Sequence, residues 1–248
     1  MDVHPAERYR SIRFGVETFD PEPVVARHRH IAGYATVVLR GSFEEASFAG
    51  RFAAQPGDVL LHGAFDCHAD RRTTRRALQI LRLPWTDNSL EGHFQVPDPD
   101  LLARLAELDL DEAVATLRGV LRPNPAIDSH WTGRLALTLH TEKEVRLEEW
   151  AESARLSPET VSRGFYRAFG VLPKVFRLEA RARRAWNAIR TTQKPFTAIA
   201  YDLGFADPAH LTRAVRSLTG ATPSHWRRFA AQRARQVGSS ASPTPRAY

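Results

Sequence analysis

Short apolar runs separated by turn residues dominate the first hundred residues. The segment 31–39 is rich in Val, Thr and Tyr and stops at an Arg-Gly pair, which is typical of a strand followed by a turn. Residues 41–52 carry a glycine near each end and predict a hairpin. Further strands are expected at 59–62 and 77–83. Many short strands at regular spacing predict a β-sandwich or barrel over residues 1–97.

From residue 98 onward, the apolar residues recur at the spacing of a helix. Asp100 and Asp111 are each followed by leucines and valines at helical spacing, so both are predicted to cap helices. The apolar positions of these two helices are Leu101, Leu102, Leu105, Leu108, Val114 and Leu117. The segment 98–127 is therefore predicted as a helical linker. Its helices either pack on the β domain or pair two copies of the chain, and the pattern leaves both arrangements open.

Two stretches in the last hundred residues follow one helix-turn-helix plan. In the first, an apolar helix is followed by a turn, and Ser157 begins a second helix that ends at Gly170. In the second, Gly204 supplies the turn and Asp207 begins the next helix. A long helix is predicted between the units, from Pro173 to about residue 190. We expect an all-α domain over 128–236 and a disordered tail over 237–248.

The charge distribution separates the two halves of the chain. Of the 35 Lys and Arg and 28 Asp and Glu residues, 16 and 19 lie in residues 1–135, which leaves 19 and 9 in residues 136–248. A basic C-terminal half next to a mildly acidic N-terminal half indicates that the C-terminal part meets a polyanion. Cys67 is the single cysteine, which fits a reducing cytoplasm, and no apolar run approaches the length of a membrane span.

The C-terminal residues resemble those of the AraC/XylS transcription regulators over about 136–230. In the second unit the resemblance is carried by Leu203-Gly204-Phe205-Ala206-Asp207, His210-Leu211-Thr212-Arg213 and Gly220-Ala221-Thr222-Pro223. In the first unit it is carried by Leu156-Ser157-Pro158, Val161-Ser162-Arg163 and Phe169-Gly170. Arg155 stands where this family often has glycine, which implies backbone strain in the first turn. The resemblance implies an α+β chain, with an N-terminal sensing domain, often a cupin-like β-barrel, and two helix-turn-helix units joined by a long helix.

The resemblance also implies that the second helix of each unit enters the major groove of double-stranded DNA. The outward positions of the first are Glu159, Thr160, Ser162, Arg163 and Arg167, and those of the second are Asp207, His210, Thr212, Arg213 and Arg216. Arg163 and Arg213 are expected to contact guanine or phosphate. Glu159 either accepts from a cytosine amino group or complements the helix dipole. Taken singly, each arginine is equally consistent with a solvated helix face.

The histidines of the N-terminal half allow two interpretations. His28-Arg29-His30 resembles the first cupin motif, and residues 50–68, which include His62 and end at His68, resemble the second. Cupin enzymes use such motifs to hold a metal, but Tyr34 stands where their glutamate is expected. One interpretation is a metal site of His28, His30 and His68, and the other is a pocket lined by these residues together with His62 and Tyr34.

The function predicted from these features is sequence-specific transcription regulation, as an activator, without enzymatic activity or a required cofactor. The expected partners are duplex DNA, a small-molecule effector and, for an activator, RNA polymerase, with a homodimer as the assembly. The chain is expected in the cytoplasm, away from membranes. Two alternatives stay open: a metal-dependent cupin enzyme with a basic appendage, and a non-specific nucleic-acid-binding protein.

Overall fold

The computed structural model describes residues 11–20, 24–73, 77–87, 90–124, 130–142 and 144–239. Antiparallel sheets with two helices packed on them are followed by a helical C-terminal region, so the fold is α+β as predicted. The chain divides into two compact units, Met1–Arg177 and Leu178–Tyr248. The predicted domain boundary at 127/128 and residues 240–248 of the predicted tail lie outside the described residues.

Strands occupy most of the first hundred residues. They are β1 (Gly15–Phe19), β2 (Val24–Arg29), β3 (Tyr34–Arg40), β4 (Phe43–Ser47), β5 (Gly50–Ala54), β6 (Asp58–His62), β7 (Cys67–Arg72), β8 (Leu78–Pro84), β9 (Gly92–Gln95) and the short β10 (Arg122–Pro123). The predicted hairpin is formed by β4 and β5. The turn before β6 is closed by Asp58, whose side chain accepts a hydrogen bond from the backbone N–H of Gln55 at 2.9 Å.

These strands form two antiparallel sheets that pack against each other. The larger has the order β1-β8-β3-β6-β9-β10 and the smaller the order β2-β7-β4-β5. Val38, Leu60 and Ile80 of the larger sheet share one apolar core with Phe43 and Phe52 of the smaller. The predicted barrel is not closed among the described strands, because each sheet ends in strands that pair on one side only.

The other face of the larger sheet is covered by α1 (Pro99–Leu108) and α2 (Leu110–Val120). Leu102 and Leu117 are buried there against the sheet. Of the two arrangements predicted for these helices, the structure thus shows packing on the β domain. The helices are capped by Asp98 and Asp109, two residues before the predicted Asp100 and Asp111. Pro99 explains the first difference, since proline favours the first helical position and sets Asp98 as the cap.

The remaining helices are α3 (Trp131–Thr141), α4 (Leu147–Ser153), α5 (Pro158–Phe169), α6 (Pro173–Thr191), α7 (Phe196–Asp202), α8 (Pro208–Thr219) and α9 (Pro223–Ser239). Helix α9 thus continues through residues 237–239, where the tail was predicted to begin. Within the described part of the chain, no helix is long and apolar enough to cross a membrane.

Two arginines of the long helix α6 hydrogen-bond to loops. Each arginine and its loop belong to the same compact unit. Arg177 donates from Nη1 to the carbonyl of Val145, just before α4, at 2.9 Å. In the compact unit Leu178–Tyr248, Arg181 donates from Nη1 to the carbonyl of Gly204, in the turn after α7, at 3.0 Å. Charge-assisted bonds of this kind hold irregular backbone in place.

Candidate functional site

The first helix-turn-helix unit is α4, a tight turn and α5. Ser157 caps α5, where its Oγ accepts a hydrogen bond from the backbone N–H of Thr160 at 3.2 Å, and Pro158 follows as the first helical residue. Helix α5 ends at Gly170, whose left-handed backbone has a φ of 71°. The start of this helix at Ser157 and its end at Gly170 were predicted from the sequence, and both are confirmed.

The buried side of α5 fixes which residues face outward. Val161, Phe165 and Phe169 are buried at a spacing of four residues, and Phe165 and Phe169 pack against the ring of Phe176 in α6. Glu159, Thr160, Arg163 and Arg167 are exposed, and Ser162 is half-buried. A hydrogen bond from the backbone N–H of Glu159 and a second from the Ser157 hydroxyl lower the pKa of the Glu159 carboxyl. Glu159 is therefore held as a carboxylate at the positive end of the helix.

The second unit repeats this plan with α7 and α8. Asp207 caps α8, with Oδ1 accepting from the backbone N–H of His210 at 2.6 Å, and the helix ends at Gly220. Leu211, Val215 and Leu218 are buried along one side. As in the first unit, the predicted start of the helix, at Asp207, is confirmed.

The outward residues of α8 differ in how free their side chains are. Arg213 and Arg216 are exposed. The hydroxyl of Thr212 donates to the carbonyl of Pro208 at 2.9 Å, and the ring of His210 packs edge-on against Phe205, with ring centroids 5.3 Å apart. Arg213 and Arg216 are thus long exposed side chains of this helix, whereas Asp207 is engaged as the helix cap.

The turns of the two units share one hydrogen bond. The backbone N–H of Leu156 donates to the carbonyl of Ala151, and that of Phe205 donates to the carbonyl of Ala200, both at 2.9 Å. The residue before each donor is in the left-handed region. It is Gly204 in the second unit, with a φ of 71°, but Arg155 in the first, with a φ of 55°. The strain that the sequence implied at Arg155 is present.

A cleft lies beside α5 within the compact unit Met1–Arg177. Its volume is about 580 Å³. Outward-facing residues of the smaller sheet form one wall, and Trp131 of α3 and Tyr166 and Arg167 of α5 form the other. Of the predicted DNA-contacting residues, Arg167 therefore also borders a space large enough for an organic molecule, which typically needs about 300 Å³ or more.

The N-terminal histidines meet between the two sheets. His28 on β2 and His68 on β7 are register partners in the smaller sheet, and Tyr34 on β3 and His62 on β6 are partners in the larger. The ring of His68 lies 4.3 Å from that of His28 and 4.5 Å from that of His62, between centroids. His30 stacks on His68 with centroids 5.5 Å apart. The five residues singled out by the sequence are therefore neighbours. This arrangement is compatible with both interpretations, a metal site and a ligand pocket.

His62 is held by two carboxylates. Its Nε2 lies 3.2 Å from Oε2 of Glu45, and its Nδ1 lies 3.0 Å from Oδ2 of Asp66. Burial would lower the pKa of the His62 imidazole, but these two carboxylates raise it to about 10. Both ring nitrogens therefore carry protons and donate to carboxylates at neutral pH.

His68 is in the opposite state. Burial, followed by the charges of His62, His28 and His30, holds the pKa of the His68 imidazole well below its usual range. Its Nε2 lies 3.1 Å from the hydroxyl of Tyr34, and burial raises the pKa of that phenol. His68 is thus a neutral imidazole bound to a neutral phenol.

Glu45 and Asp66 are functional candidates that the sequence reasoning missed. A signal for Glu45 was present, because the alternation along β4 places it on the same face as the buried Phe43. A charged side chain at such an inward position needs a partner, and here the partner is His62. Asp66 lies four residues after His62 in a loop, where no periodicity marks it.

Comparisons with known proteins find one family match, in the C-terminal half of the chain. The family model described as a helix-turn-helix domain matches residues 150–228. No curated protein matches the sequence.

Several solved structures are similar to this chain. An AraC-type transcriptional regulator from Chromobacterium violaceum is 25% identical, covering 40% of this chain and 88% of that chain, with a TM-score of 0.36. The DNA-binding domain of AdpA, a global transcriptional factor in complex with a target DNA, is 27% identical over 43% of this chain and 96% of that chain, with a TM-score of 0.38. ToxT from Vibrio cholerae, with an unsaturated fatty acid bound, is 12% identical over 86% of this chain and 93% of that chain, with a TM-score of 0.39.

The matched residues 150–228 include both capped helices, α5 and α8, and both left-handed turns, at Arg155 and Gly204. This stretch matches the model of a helix-turn-helix domain, and the solved structures to which it is similar include AraC-type transcription regulators.

Proposed function

We propose that this chain is a transcription regulator that recognises a specific duplex sequence with α5 and α8. The observation that carries the proposal is the arrangement found in each helix, which is capped at its start, buried along one side and exposed along the other. The exposed sides carry Arg163 in α5 and Arg213 in α8, whose planar guanidinium groups can donate two parallel hydrogen bonds to a guanine. The remaining predicted contacts are made by Glu159, Thr160, Ser162, Arg167, Asp207, His210, Thr212 and Arg216.

Selection of random duplex DNA by the full chain, followed by sequencing, tests the proposal. Enrichment of a motif with two separate conserved blocks supports it. Arg163→Ala should relax the preference in one block and Arg213→Ala in the other, whereas Arg40→Ala removes the same charge from the exposed end of β3 and should leave the motif unchanged. Retention of DNA without enrichment, with a steep salt dependence, would instead make the chain a non-specific binder.

The N-terminal half is proposed to sense a small molecule in the 580 Å³ cleft. The support is its position, because a ligand there touches both the smaller sheet and the helix α5 that contacts DNA. Such a ligand shifts DNA affinity only if it binds one arrangement of the chain better than the other. Candidate organic compounds are screened by thermal unfolding. Ala168→Trp at the cleft should abolish the stabilisation by any compound that binds there, and Ala115→Trp on the exposed side of α2 should not.

We also propose that the chain acts as a homodimeric activator that recruits RNA polymerase. The structural support is for the dimer: on α1, Leu108 has 87% of its surface exposed and Leu101 has 38%. Leu108→Glu should convert a dimer into a monomer in sedimentation experiments if this side of α1 is the contact. A reporter gene placed behind the selected DNA motif, assayed with and without the protein, separates activation from repression.

A further inference from the structure

We propose that Arg190 of α6 and Arg233 of α9 together bind one phosphate of the duplex backbone, beside the base pairs read by α8. The inference rests on the proposed function, because it assumes that α8 lies against DNA. It adds a contact from two helices that belong to neither helix-turn-helix pair. A phosphate contact of this kind positions a protein on the duplex but carries no sequence information.

Aromatic packing joins the parts of α6 and α9 that carry the two arginines. The guanidinium of Arg190 stacks on Trp186, one helical turn earlier in α6, with Cζ 4.4 Å from the ring centroid. Trp186 packs edge-on against Trp226 of α9, with centroids 5.7 Å apart. Trp226 packs in turn against Phe229, at 5.8 Å, and Cζ of Arg233 lies 6.0 Å from the centroid of Phe229. These rings fix where the two side chains stand.

The two guanidinium groups are close enough to repel each other. Burial lowers the pKa of Arg190, and the positive charge of Arg233 lowers it further. Nε of Arg190 is buried and has no hydrogen-bond partner among the described residues. A half-buried cation with an unused donor and a like charge beside it is unfavourable in the free protein. A bound anion would satisfy the donor and cancel the repulsion.

The compact unit that holds both arginines has few carboxylates with which to neutralise them. It contains 12 Lys and Arg but only three acidic residues, Glu179, Asp202 and Asp207. Asp202 is bound to the side chain of Lys194 at 2.8 Å, and Asp207 caps α8. Glu179 lies about three helical turns before Arg190 in α6. Helix α9 itself has no acidic residue, so the anion is expected to come from another molecule.

The attachment of α9 to the second helix-turn-helix unit favours a duplex phosphate as that anion. Trp226 donates from Nε1 to Oγ1 of Thr219 in α8 at 2.7 Å. Arg227 donates from Nη2 to the carbonyl of Lys194, just before α7, also at 2.7 Å. Arg190 lies six residues before α7 begins, and the first helix of a helix-turn-helix crosses the DNA backbone. Guanidinium groups match the geometry of phosphate oxygens and bind them through charge-assisted hydrogen bonds.

The test titrates the full chain and its variants with the selected motif and with a scrambled duplex, at several salt concentrations. Arg190→Ala and Arg233→Ala should each weaken binding to both duplexes by the same factor, about threefold or more, and lower the salt slope by about 1. Arg40→Ala, at the exposed end of β3, is the matched control and should bind both duplexes as the wild type does.

Duplexes with one neutral methylphosphonate locate the contact. With each phosphate beside the motif replaced in turn, the wild type should lose affinity at one position at which both arginine variants are insensitive to the replacement. Variants that remain sensitive wherever the wild type is sensitive would overturn the proposal. So would a loss of reporter expression in Arg233→Ala with unchanged DNA affinity, which would place the two arginines on an acidic protein surface.

The stability of the free protein separates binding from a structural role. Arg233 is exposed, and its removal takes a like charge away from Arg190. Arg233→Ala should therefore unfold, without DNA, at the same temperature as the wild type or at a higher one. A lower unfolding temperature together with unchanged affinity for both duplexes would make Arg233 a structural residue and overturn the proposal.

Failure of this proposal and failure of sequence recognition give different results. A wild type that enriches no motif would overturn sequence-specific recognition, while the salt slopes of the wild type and Arg233→Ala would still test the phosphate contact. A motif that Arg233→Ala binds with wild-type affinity and salt slope would overturn the contact and leave recognition by α5 and α8 intact.

Discussion

Gly164 in α5 lies against the indole of Trp131 in α3. A Cβ atom placed on Gly164 would lie 2.5 Å from Cζ2 and 2.7 Å from Cη2 of that ring. Glycine inside a helix costs about 0.5–1 kcal/mol relative to alanine. The close approach of Trp131 explains why the helix nevertheless has a glycine here, and it makes the packing of α3 on α5 sensitive to one methyl group.

Gly164→Ala is therefore expected to destabilise the protein by about 1–3 kcal/mol, because the added methyl overlaps a ring that has to move. Gly119→Ala in α2 is the matched control, since a Cβ there meets nothing within 4 Å. It should stabilise by up to about 1 kcal/mol through helix propensity alone. Urea unfolding of both variants measures the difference.

The smaller side chain of Trp131→Leu should make room for the methyl group. In the double variant with Gly164→Ala, the loss caused by the alanine should then shrink to near zero, a coupling of more than about 1 kcal/mol. Equal losses in both backgrounds would mean that the Trp131 ring does not set the requirement for glycine.

Features decided by neighbouring residues were predictable from the sequence, and those decided by distant ones were not. Ser157 and Asp207 were identified as caps because the cap, the proline and the apolar period all lie within one helical turn. By contrast, the pairing of Glu45 with His62 joins two sheets. No local pattern connects such positions, so the carboxylates around His62 were missed although the histidines were identified.

Two other differences from the predictions have physical reasons of their own. Closure of a barrel depends on whether edge strands find each other, which strand propensity does not encode, and here the sheets stay separate. The choice of Asp98 over Asp100 as a cap is local, but three competing residues, Asp98, Pro99 and Asp100, stand side by side. The position of the proline is what decides among them.

The two turns of the helix-turn-helix units predict opposite effects of substitution. Arg155→Gly removes a side chain from a left-handed residue, which saves about 1–2 kcal/mol of strain, partly offset by the greater freedom of glycine in the unfolded chain. We expect a net stabilisation of up to about 1 kcal/mol. Gly204→Ala introduces the same strain and should destabilise by about 1 kcal/mol or more.

Both variants are compared with the wild type by chemical denaturation. Since neither residue belongs to the proposed DNA contacts, the DNA motif should be unchanged. A destabilising Arg155→Gly would show that contacts of the arginine side chain outweigh its backbone strain.

The ion pair at His62 predicts a fall in stability with rising pH. The pKa of His62 is raised to about 10 in the folded protein, against about 6.5 in the unfolded chain. Between these values the folded state holds one more proton than the unfolded state, so the free energy of unfolding decreases as pH increases. The contribution is complete below about pH 6.5 and is lost through pH 10. Its slope approaches about 1.4 kcal/mol per pH unit.

Denaturation in chelator between pH 6.5 and 10 measures this slope. Glu45→Gln removes one of the two carboxylates and so lowers the folded-state pKa of His62, and its fall should therefore end at a lower pH than in the wild type. Titration of the His62 ring by NMR gives an independent check, since the imidazole should stay protonated at pH 8. A ring that titrates near pH 6.5 would contradict the assignment.

The contribution of α8 to DNA recognition is tested by Arg213. Its side chain is exposed on the outward side of the helix, and the residues behind it, Leu211 and Val215, are buried and hold the helix in place. Arg213→Ala should therefore lower affinity for the selected motif by about 1–3 kcal/mol without loss of stability, if the guanidinium contacts a guanine.

Arg213→Lys keeps the charge but not the paired donors, so it should recover little of that affinity. If the contact is with phosphate, lysine should restore most of it, and the alanine variant should weaken binding equally to all sequences. Titrations of the motif and of one scrambled duplex, at two salt concentrations, distinguish these outcomes. An alanine variant that binds both duplexes as the wild type does would remove Arg213 from the interface.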